Sequence, residues 1–337
     1  MLFAHEKEED MATKTGGVFS LIFIFTGFIV FSGAAGAQTK ANRLSLATGG
    51  TGGVYYPLGG GMANVISKYV PNTEATAEVT SASVDNCKLI HAGKADLALI
   101  MADTGYDADK GLERFKTTGP QAIRTVAVVY PNYMHFVTVD GLGIKSITDL
   151  KGKRVSTGSP GSGTEVMALR VLESYGINPD KDIKKERLGV AESAGALKDR
   201  KVDAFGWVGG LPTAAVMDLA ATPGVKIRIL NNAEHLDRMI QKYGPIYFKR
   251  DIPRNTYTGM DADVPVACVA NLLICREKME ESLVYNILKV LLEHQPELVA
   301  VHKEASNFTL ATATVGSSLP FHPGAIKYYR EKGIKVQ

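Results

Sequence analysis

Cysteine is scarce in this sequence, with only Cys87, Cys268 and Cys275 among 337 residues. The odd number excludes complete disulfide pairing, so at least one thiol is unpaired. All three lie in apolar or helical contexts, and free cysteine is among the most frequently buried residue types. We therefore expect buried structural thiols. A disulfide between Cys268 and Cys275 stays open as an alternative, because the compartment predicted below is oxidising.

Signatures of common catalytic and nucleotide-binding sites are also lacking. No Gly-x-Ser-x-Gly motif surrounds Ser159, Ser162 or Ser193, and the histidines show no close metal-binding spacing. The glycine-rich segment 49–53 matches neither a P-loop nor a dinucleotide-binding fingerprint, and no run of lysine and arginine resembles a nucleic-acid arm. We expect no enzyme, no metal, no cofactor and no nucleic-acid partner.

The longest apolar run near the N-terminus, Val18–Phe31, is 14 residues long. A membrane-spanning helix needs roughly 20 residues, which disfavours a membrane anchor. Lys14 precedes the run, and small residues ending at Ala37 follow it, so residues 1–37 are predicted to be a signal peptide cleaved near Ala37. Because the first cysteine is Cys87, no lipid anchor is expected. The sequence thus predicts a secreted, periplasmic protein.

About 300 residues follow the predicted cleavage site, which is near the size at which a single core divides into two domains. Residues 1–37 hold two lysines and four acidic residues, so their removal raises the formal net charge from +3 to +5. The positive charge is spread along the chain. It favours anionic ligands only weakly.

Short apolar segments alternate with helical patterns in two similar passes. The pattern predicts strands at 44–48, 75–80, 96–101 and 123–130, and again at 153–157, 184–188, 202–208 and 225–230. Such alternation is typical of βαβ units with a parallel sheet. In both passes a Lys-x-Asp segment, ending at Asp96 and Asp203, leads into the third strand. Chance also produces such short matches, so this similarity alone decides nothing.

Two further apolar segments, 135–139 and 264–274, are extended, and the second of them has no obvious partner strand in the second pass. A chain that crosses from one lobe to another and returns would use them as two hinge strands. We therefore predict an α/β, two-lobed fold with lobe I formed by 38–137 plus 265–337 and lobe II by 138–264. We expect a monomer.

Polar and glycine residues cluster where the predicted strands end. Open α/β sheets bind ligands at the carboxyl ends of their strands, and uncapped helix N-termini there favour anions. Each serine or threonine taken singly is more often a helix cap, so the argument depends on their convergence. The candidate ligand-binding residues are Gly50, Thr51, Gly52, Val54, Tyr55, Tyr56, Ser81, Ser83, Asn86, Asp103, Thr104, Tyr133, Ser159, Gly161, Ser162, Gly163, Thr164, Trp207 and Gly209.

Trp207, the single tryptophan, has two possible roles. It ends an apolar strand and could fill a core, as buried tryptophan commonly does. Its position two residues before Gly209 also makes it a candidate for the wall of the predicted crevice.

Four segments resemble one known family in order along the chain. They read ATGGTGGVYYPLG at 47–59, TSASVDN at 80–86, GKADLAL at 93–99 and LKGKRVSTGSPGSGT at 150–164. The first is specific to the TAXI family, the TRAP-associated extracytoplasmic solute receptors, whereas the last is shared more widely among periplasmic binding proteins. The resemblance covers nearly all of the chain after the predicted cleavage site. This sequence departs from the family pattern at Met101-Ala102-Asp103, where many members have a segment similar to Gln-Ser-Asp.

The resemblance implies a type II periplasmic-binding fold and delivery of a small acid, glutamate-like or dicarboxylate-like, to a TRAP-type permease. It also implies that residues 51–56, 81, 83, 86, 103–104 and 159–164 contact an anionic or zwitterionic ligand. No lysine or arginine lies in these loops, so backbone N–H groups, hydroxyls and helix ends would have to hold a carboxylate. Three alternatives stay open: a binding protein for an ABC importer, a ligand sensor, and a secreted two-lobed enzyme.

Overall fold

The computed structural model describes residues 42–336, so the predicted signal peptide lies outside the described residues. Across this span, no helix combines the length and apolar character needed to cross a membrane.

Ten strands in this part of the chain form one mixed sheet with the order β2-β1-β3-β10-β4-β7-β5-β6, in which β8 also pairs with β4 and β9 with β10. The strands are β1 (Asn42–Ala47), β2 (Thr73–Glu78), β3 (Leu97–Met101), β4 (Ile123–Val139), β5 (Arg154–Ser156), β6 (Lys184–Glu186), β7 (Ala204–Gly209), β8 (Ile227–Ile229), β9 (Tyr247–Ile252) and β10 (Val264–Arg276).

Helices cover both faces of the sheet. They are α1 (Tyr55–Tyr69), α2 (Ser83–His91), α3 (Ala102–Lys110), α4 (Gly163–Ser174), α5 (Val190–Lys198), α6 (Ala214–Ala220), α7 (Leu236–Tyr243), α8 (Glu281–Glu293), α9 (Gln295–Val301) and α10 (Pro323–Glu331). Helices α1, α8 and α10 pack over one apolar cluster, and α5 and α6 over another. The predicted α/β fold class is confirmed.

Two units of the same topology lie within the sheet. The first unit, 42–110, runs β1-α1-β2-α2-β3-α3, and the second unit, 154–220, runs β5-α4-β6-α5-β7-α6. In each unit the first strand pairs in parallel with both others, so the carboxyl ends of its strands lie at one edge. This arrangement places the glycine-rich loops and helix N-termini of each unit together.

The two Lys-x-Asp segments perform the same structural task in the two units. Asp96 accepts a hydrogen bond from Ser45 N at 3.0 Å, and Asp203 accepts one from Arg154 N at 2.8 Å. In return, the backbone N–H of each aspartate donates to the carbonyl of the same partner residue. Each carboxylate therefore fixes the start of its unit's third strand against the first strand.

Strands β4 and β10 are the long antiparallel strands that connect the two units. The early part of β10 pairs with β9 and its later part with β3, while the end of β4 pairs with β7. The segment 264–274 therefore does have a partner strand beside the second unit, and that part of the prediction was wrong. Lys249, Arg250 and Asp251 gave β9 a polar pattern that concealed it.

The three cysteines are buried free thiols. Burial raises the pKa of each thiol above its ordinary value, which disfavours the reactive thiolate. The structure thus bears out buried structural thiols and shows no Cys268–Cys275 bond.

Candidate functional site

A cavity of about 770 Å³, its open mouth included, lies between the two units. Its walls come from the strand ends and helix starts of both units, and two residues of β4 contribute from the connecting strand. The lining residues are Gly49, Gly50, Gly53, Val54, Tyr55, Thr80, Ser81, Ala82, Ser83, Met101, Tyr130, Asn132, Gly158, Ser159, Ser162, Gly163, Thr164, Leu188, Gly189, Val190, Glu192, Trp207, Val208 and Gly209.

Most of the candidate residues from the sequence meet at this cavity. The candidates in its lining are Gly50, Val54, Tyr55, Ser81, Ser83, Ser159, Ser162, Gly163, Thr164, Trp207 and Gly209. The candidates outside its lining are Thr51, Gly52, Tyr56, Asn86, Asp103, Thr104, Tyr133 and Gly161. Contact with a ligand stays a prediction for both sets.

The start of α1 presents backbone donors to the cavity. Val54 precedes the helix, and no side chain caps this end. The N–H groups of a helix's first turn lack intrahelical partners and carry a partial positive charge. Because Val54 and Tyr55 both line the cavity, these groups are available to an anionic part of a ligand.

The start of α4 is similar but has a side-chain cap. Ser162 Oγ accepts from Glu165 N at 3.0 Å and donates to Ser159 O at 2.7 Å. This cap satisfies one donor of the first turn and fixes the loop. Gly163 and Thr164 begin the helix and line the cavity. Ser162 therefore acts as a cap and a lining residue together.

Trp207 forms part of the wall, where its ring lies close to Gly53 of the first unit and Gly209 of its own strand. Its Nε1 donates to Thr213 Oγ1 at 2.8 Å, which fixes the ring. A Cβ added to Gly53 would lie only 2.7 Å from the ring atom Cη2 of Trp207. Only glycine fits at position 53 while the ring stays in place.

The floor of the cavity is a hydroxyl and amide network on the two long strands. Tyr55 OH donates to Asn271 Oδ1, which also accepts from Asn132 Nδ2 at 2.6 Å. Burial of the Tyr55 hydroxyl raises its pKa well above the ordinary value, so this group is neutral. In the described part of the chain, the Tyr130 hydroxyl, Asn132 Oδ1 and Asn271 Nδ2 have no hydrogen-bond partner, and of these three residues Tyr130 and Asn132 line the cavity.

These unpartnered atoms are unusual for buried groups. Tyr130 is 2% exposed and Asn132 is 1% exposed, yet both belong to the cavity lining. Buried polar atoms in folded proteins nearly always have a partner, because an unmet hydrogen bond costs free energy. The Tyr130 hydroxyl and Asn132 Oδ1 are therefore free to form hydrogen bonds with a polar molecule in the cavity.

Backbone contacts close the rim on two sides. Gly161 O accepts from Val84 N at 3.1 Å and from Asp85 N at 3.3 Å, at the start of α2. Gly52 O accepts from Ala215 N at 3.3 Å, in α6 of the other unit. Gly52 and Gly161 therefore join the units beside the cavity and lie outside its lining.

Four of the other candidates have structural partners. Asn86 Nδ2 donates to Thr48 O and Leu99 O, both at 2.8 Å, and thereby connects the ends of β1 and β3. Asp103 Oδ1 accepts from Thr104 N at 2.7 Å, where both residues are fully buried. Tyr133 pairs with Gly209 across β4 and β7 and packs in the second unit's core. Thr51 and Tyr56 are solvent-exposed.

A buried ionic cluster lies behind the cavity. Arg170 of α4 donates to Asp107 Oδ2 of α3 at 2.5 Å and to Tyr247 OH at 2.8 Å. Tyr247 OH donates to Asp103 Oδ2 at 2.9 Å, and all four residues are at most 4% exposed. Two carboxylates share one guanidinium, and burial raises the pKa of Asp107 to about 6. We call these four residues the Arg170 cluster.

Sequence reasoning missed several lining residues. Tyr130 and Asn132 lie two residues apart on β4. Because successive side chains of a strand point to opposite faces of the sheet, these two residues share a face and Tyr133 belongs to the other face, which the sequence could have indicated. Leu188, Gly189 and Glu192 follow β6, so the rule about strand ends would have found them too. Between residues 42 and 336, no group of three or more potential metal-ligating side chains has a suitable arrangement.

The chain belongs to the NMT1-like family, whose model matches residues 46–333. A solved protein from Bordetella bronchiseptica RB50 is 16% identical and has a TM-score of 0.50, with 86% of this chain and 89% of that chain covered. At this identity the similarity bears on the fold alone.

Two further solved structures are similar over most of their length. The alkanesulfonate-binding protein SsuA from Xanthomonas axonopodis pv. citri, bound to MOPS, is 17% identical with a TM-score of 0.49, covering 87% of this chain and 91% of that chain. A putative L-cystine ABC transporter protein from Listeria monocytogenes is 18% identical with a TM-score of 0.48, covering 78% and 95%.

Proposed function

We propose that this protein is an extracytoplasmic solute-binding receptor of the TAXI type. It captures a small organic acid or amino acid between two lobes and delivers it to a TRAP-type permease. The observation that carries the proposal is the cavity itself, in which two uncompensated buried polar atoms and the starts of α1 and α4 face one space. This combination supports a polar ligand that is held without covalent chemistry.

Capture by closure follows from the same geometry. Lobe I, 38–137 plus 265–337, and lobe II, 138–264, would rotate about β4 and β10, the long strands that connect the units. The rim contacts of Gly52 and Gly161 form only when the lobes approach each other. A ligand that contacts both lobes favours this closed form through its differential affinity.

The composition of the lining supports binding over catalysis. Glu192 is the single formally charged residue among the lining residues, which include no histidine, lysine, arginine or cysteine. A serine or threonine nucleophile would need an adjacent general base, and Ser83 instead accepts from Met101 N at 3.1 Å. This lining therefore favours a receptor, which releases its ligand chemically unchanged.

Thermal denaturation in the presence of small organic acids and amino acids tests the proposal. A ligand at 100 times its dissociation constant adds about 2.7 kcal/mol to the free energy of unfolding. Native mass spectrometry should show one ligand per chain with unchanged mass after release. Ser159→Trp should abolish both signals, because Ser159 lines the cavity and is half-buried.

Thr309→Trp, on a solvent-exposed residue outside the cavity lining, is the matched control and should bind as the unaltered protein does. Binding that survives Ser159→Trp, or a ligand released in altered chemical form, would contradict the proposal. Co-purification with a membrane partner tests the transporter class. Co-purification with a TRAP-type permease would support the TRAP assignment, and co-purification with an ATPase-driven importer instead would contradict it.

A further inference from the structure

Glu192 is the one formal charge in the lining of the cavity, and it has the sign opposite to the helix ends around it. It lies in the first turn of α5, and its carboxylate packs against Gly189. Glu192 is exposed to solvent, which places it at the mouth. Its negative charge offsets the partial positive charge at the start of α5.

The helix starts at the cavity offer a ligand less than one full positive charge. The start of α1 has no acidic residue in its first turn and carries roughly half a positive charge, whereas the first turn of α4 already contains the buried carboxylate of Glu165. One carboxylate of a ligand therefore already exceeds the uncompensated helix charge at the cavity. A dicarboxylate would bring a second negative charge into a cavity that already holds Glu192 and has no cationic side chain in its lining.

Hydrogen-bond acceptors in the cavity point to the same chemistry. Asn132 Oδ1 is buried, lines the cavity and has no donor within the described chain. An ammonium group has N–H donors for such an acceptor as well as a positive charge for a carboxylate. Glu192 and Asn132 thus supply acceptors, while the starts of α1 and α4 supply donors.

We propose that Glu192 selects ligands that carry an ammonium group together with a carboxylate, namely amino acids or similar zwitterions, over carboxylates without an amine. This inference rests on the proposed receptor function. It narrows the ligand class that the family resemblance implies, because it disfavours dicarboxylates that lack an amine.

Isothermal titration with matched ligand pairs tests the inference. The probes are the twenty standard amino acids, each paired with the same carboxylate lacking the α-amine, such as L-glutamate with glutarate. We expect the unaltered protein to bind at least one amino acid about tenfold or more tightly than its partner, since a hydrogen bond to a charged group has that strength.

Glu192→Gln should reduce this preference: the affinity for the amino acid should fall by up to about fivefold, the strength of an exposed ion pair, while the affinity for its deaminated partner stays unchanged or rises slightly. Glu186→Gln is the matched control. It makes the same change at an exposed residue outside the cavity lining, and it should leave both affinities unchanged. The melting temperature of each unliganded variant verifies that it folds.

The possible failures are distinguishable. Equal affinity for both members of every bound pair, or an amino acid affinity within twofold of normal in Glu192→Gln, would overturn the role of Glu192 and leave the receptor proposal intact. If no amino acid and no carboxylate binds the unaltered protein, the receptor proposal fails and this inference fails with it.

Discussion

Two polar regions join the units of this protein, and they differ in how completely their hydrogen bonds are satisfied. In the Arg170 cluster, the guanidinium, the two carboxylates and the Tyr247 hydroxyl all have buried partners. In the cavity, the Tyr130 hydroxyl and Asn132 Oδ1 have none in the described chain. Met101 lines the cavity and Asp103, two residues later, belongs to the cluster.

This difference separates a structural role from a binding role. A buried polar network whose members are all paired makes the fold specific and rigid. Buried groups left without partners cost stability unless another molecule completes them. The cluster is therefore suited to holding the units together, whereas the unmet hydrogen bonds of the cavity support its proposed role in ligand binding, even though both regions are polar and both lie between the same units.

The largest effect should come from breaking the cluster. Arg170→Met leaves Asp103 and Asp107 buried without their cation, and loss of one partner of a buried ion pair costs about 3–5 kcal/mol. Urea denaturation at pH 7.5 measures this loss.

Arg228→Met is the matched control, because Arg228 pairs with Asp140 at 3.0 Å where both side chains are exposed. An exposed pair contributes at most about 1 kcal/mol. If both variants lose the same small free energy of unfolding, the cluster does not hold the units together.

Two buried tyrosines test the comparison directly. Tyr247→Phe removes hydrogen bonds to Arg170 and Asp103, and should cost about 1.5–3 kcal/mol because both partners are charged. Tyr130→Phe removes a hydroxyl that has no partner, so the unliganded protein should lose nothing or gain slightly. Ligand affinity should fall in Tyr130→Phe instead. Similar losses of unfolding free energy in both variants would contradict the distinction between a fully paired structural cluster and a cavity with unpaired groups.

The pH dependence of stability should show a smaller effect. Burial raises the pKa of Asp107 to about 6 in the folded state, above its ordinary value of 3.8. The folded state therefore binds this proton more tightly, so stability is greatest below pH 3.8 and falls as the pH rises through 6. Between pH 5 and pH 8 this group should account for a loss of about 1.4 kcal/mol.

Asp107→Asn isolates that contribution, because the amide does not titrate. Buried His135 acts in the opposite direction, since burial lowers its pKa to about 4 and its protonation destabilises the fold in acid. Only the difference between the unaltered protein and Asp107→Asn therefore reports on Asp107. Parallel stability curves for the two proteins from pH 5 to pH 8 would show that Asp107 is already ionised at pH 5.

The alternation of apolar and helical segments was sufficient to predict the parallel units, but it divided β4 into 123–130 and 135–139, where the structure has one strand, Ile123–Val139. It missed β9, because Lys249, Arg250 and Asp251 expose polar side chains on a strand that is held by pairing with β10. Pairing across the sheet is a tertiary property and leaves no local pattern in such a segment.

The candidate site, like the fold, could be predicted from the sequence only in part. Strand ends and glycine-rich loops indicated residues such as Tyr55, Ser83 and Thr164, which line the cavity. The same rule also selected Gly52 and Gly161, whose carbonyls instead join the units, because sequence does not show how the units approach each other. Glu192 was missed, since a glutamate in a helix's first turn is also an ordinary stabilising residue.

A crystal structure with a bound amino acid at saturating concentration tests the central claim most directly. We expect the ligand between the units, within hydrogen-bond distance of the Tyr130 hydroxyl, and with its carboxylate at the start of α1 or α4. A ligand bound elsewhere on the molecule, or a cavity that holds only water under those conditions, would contradict the assignment of this cavity as the binding site.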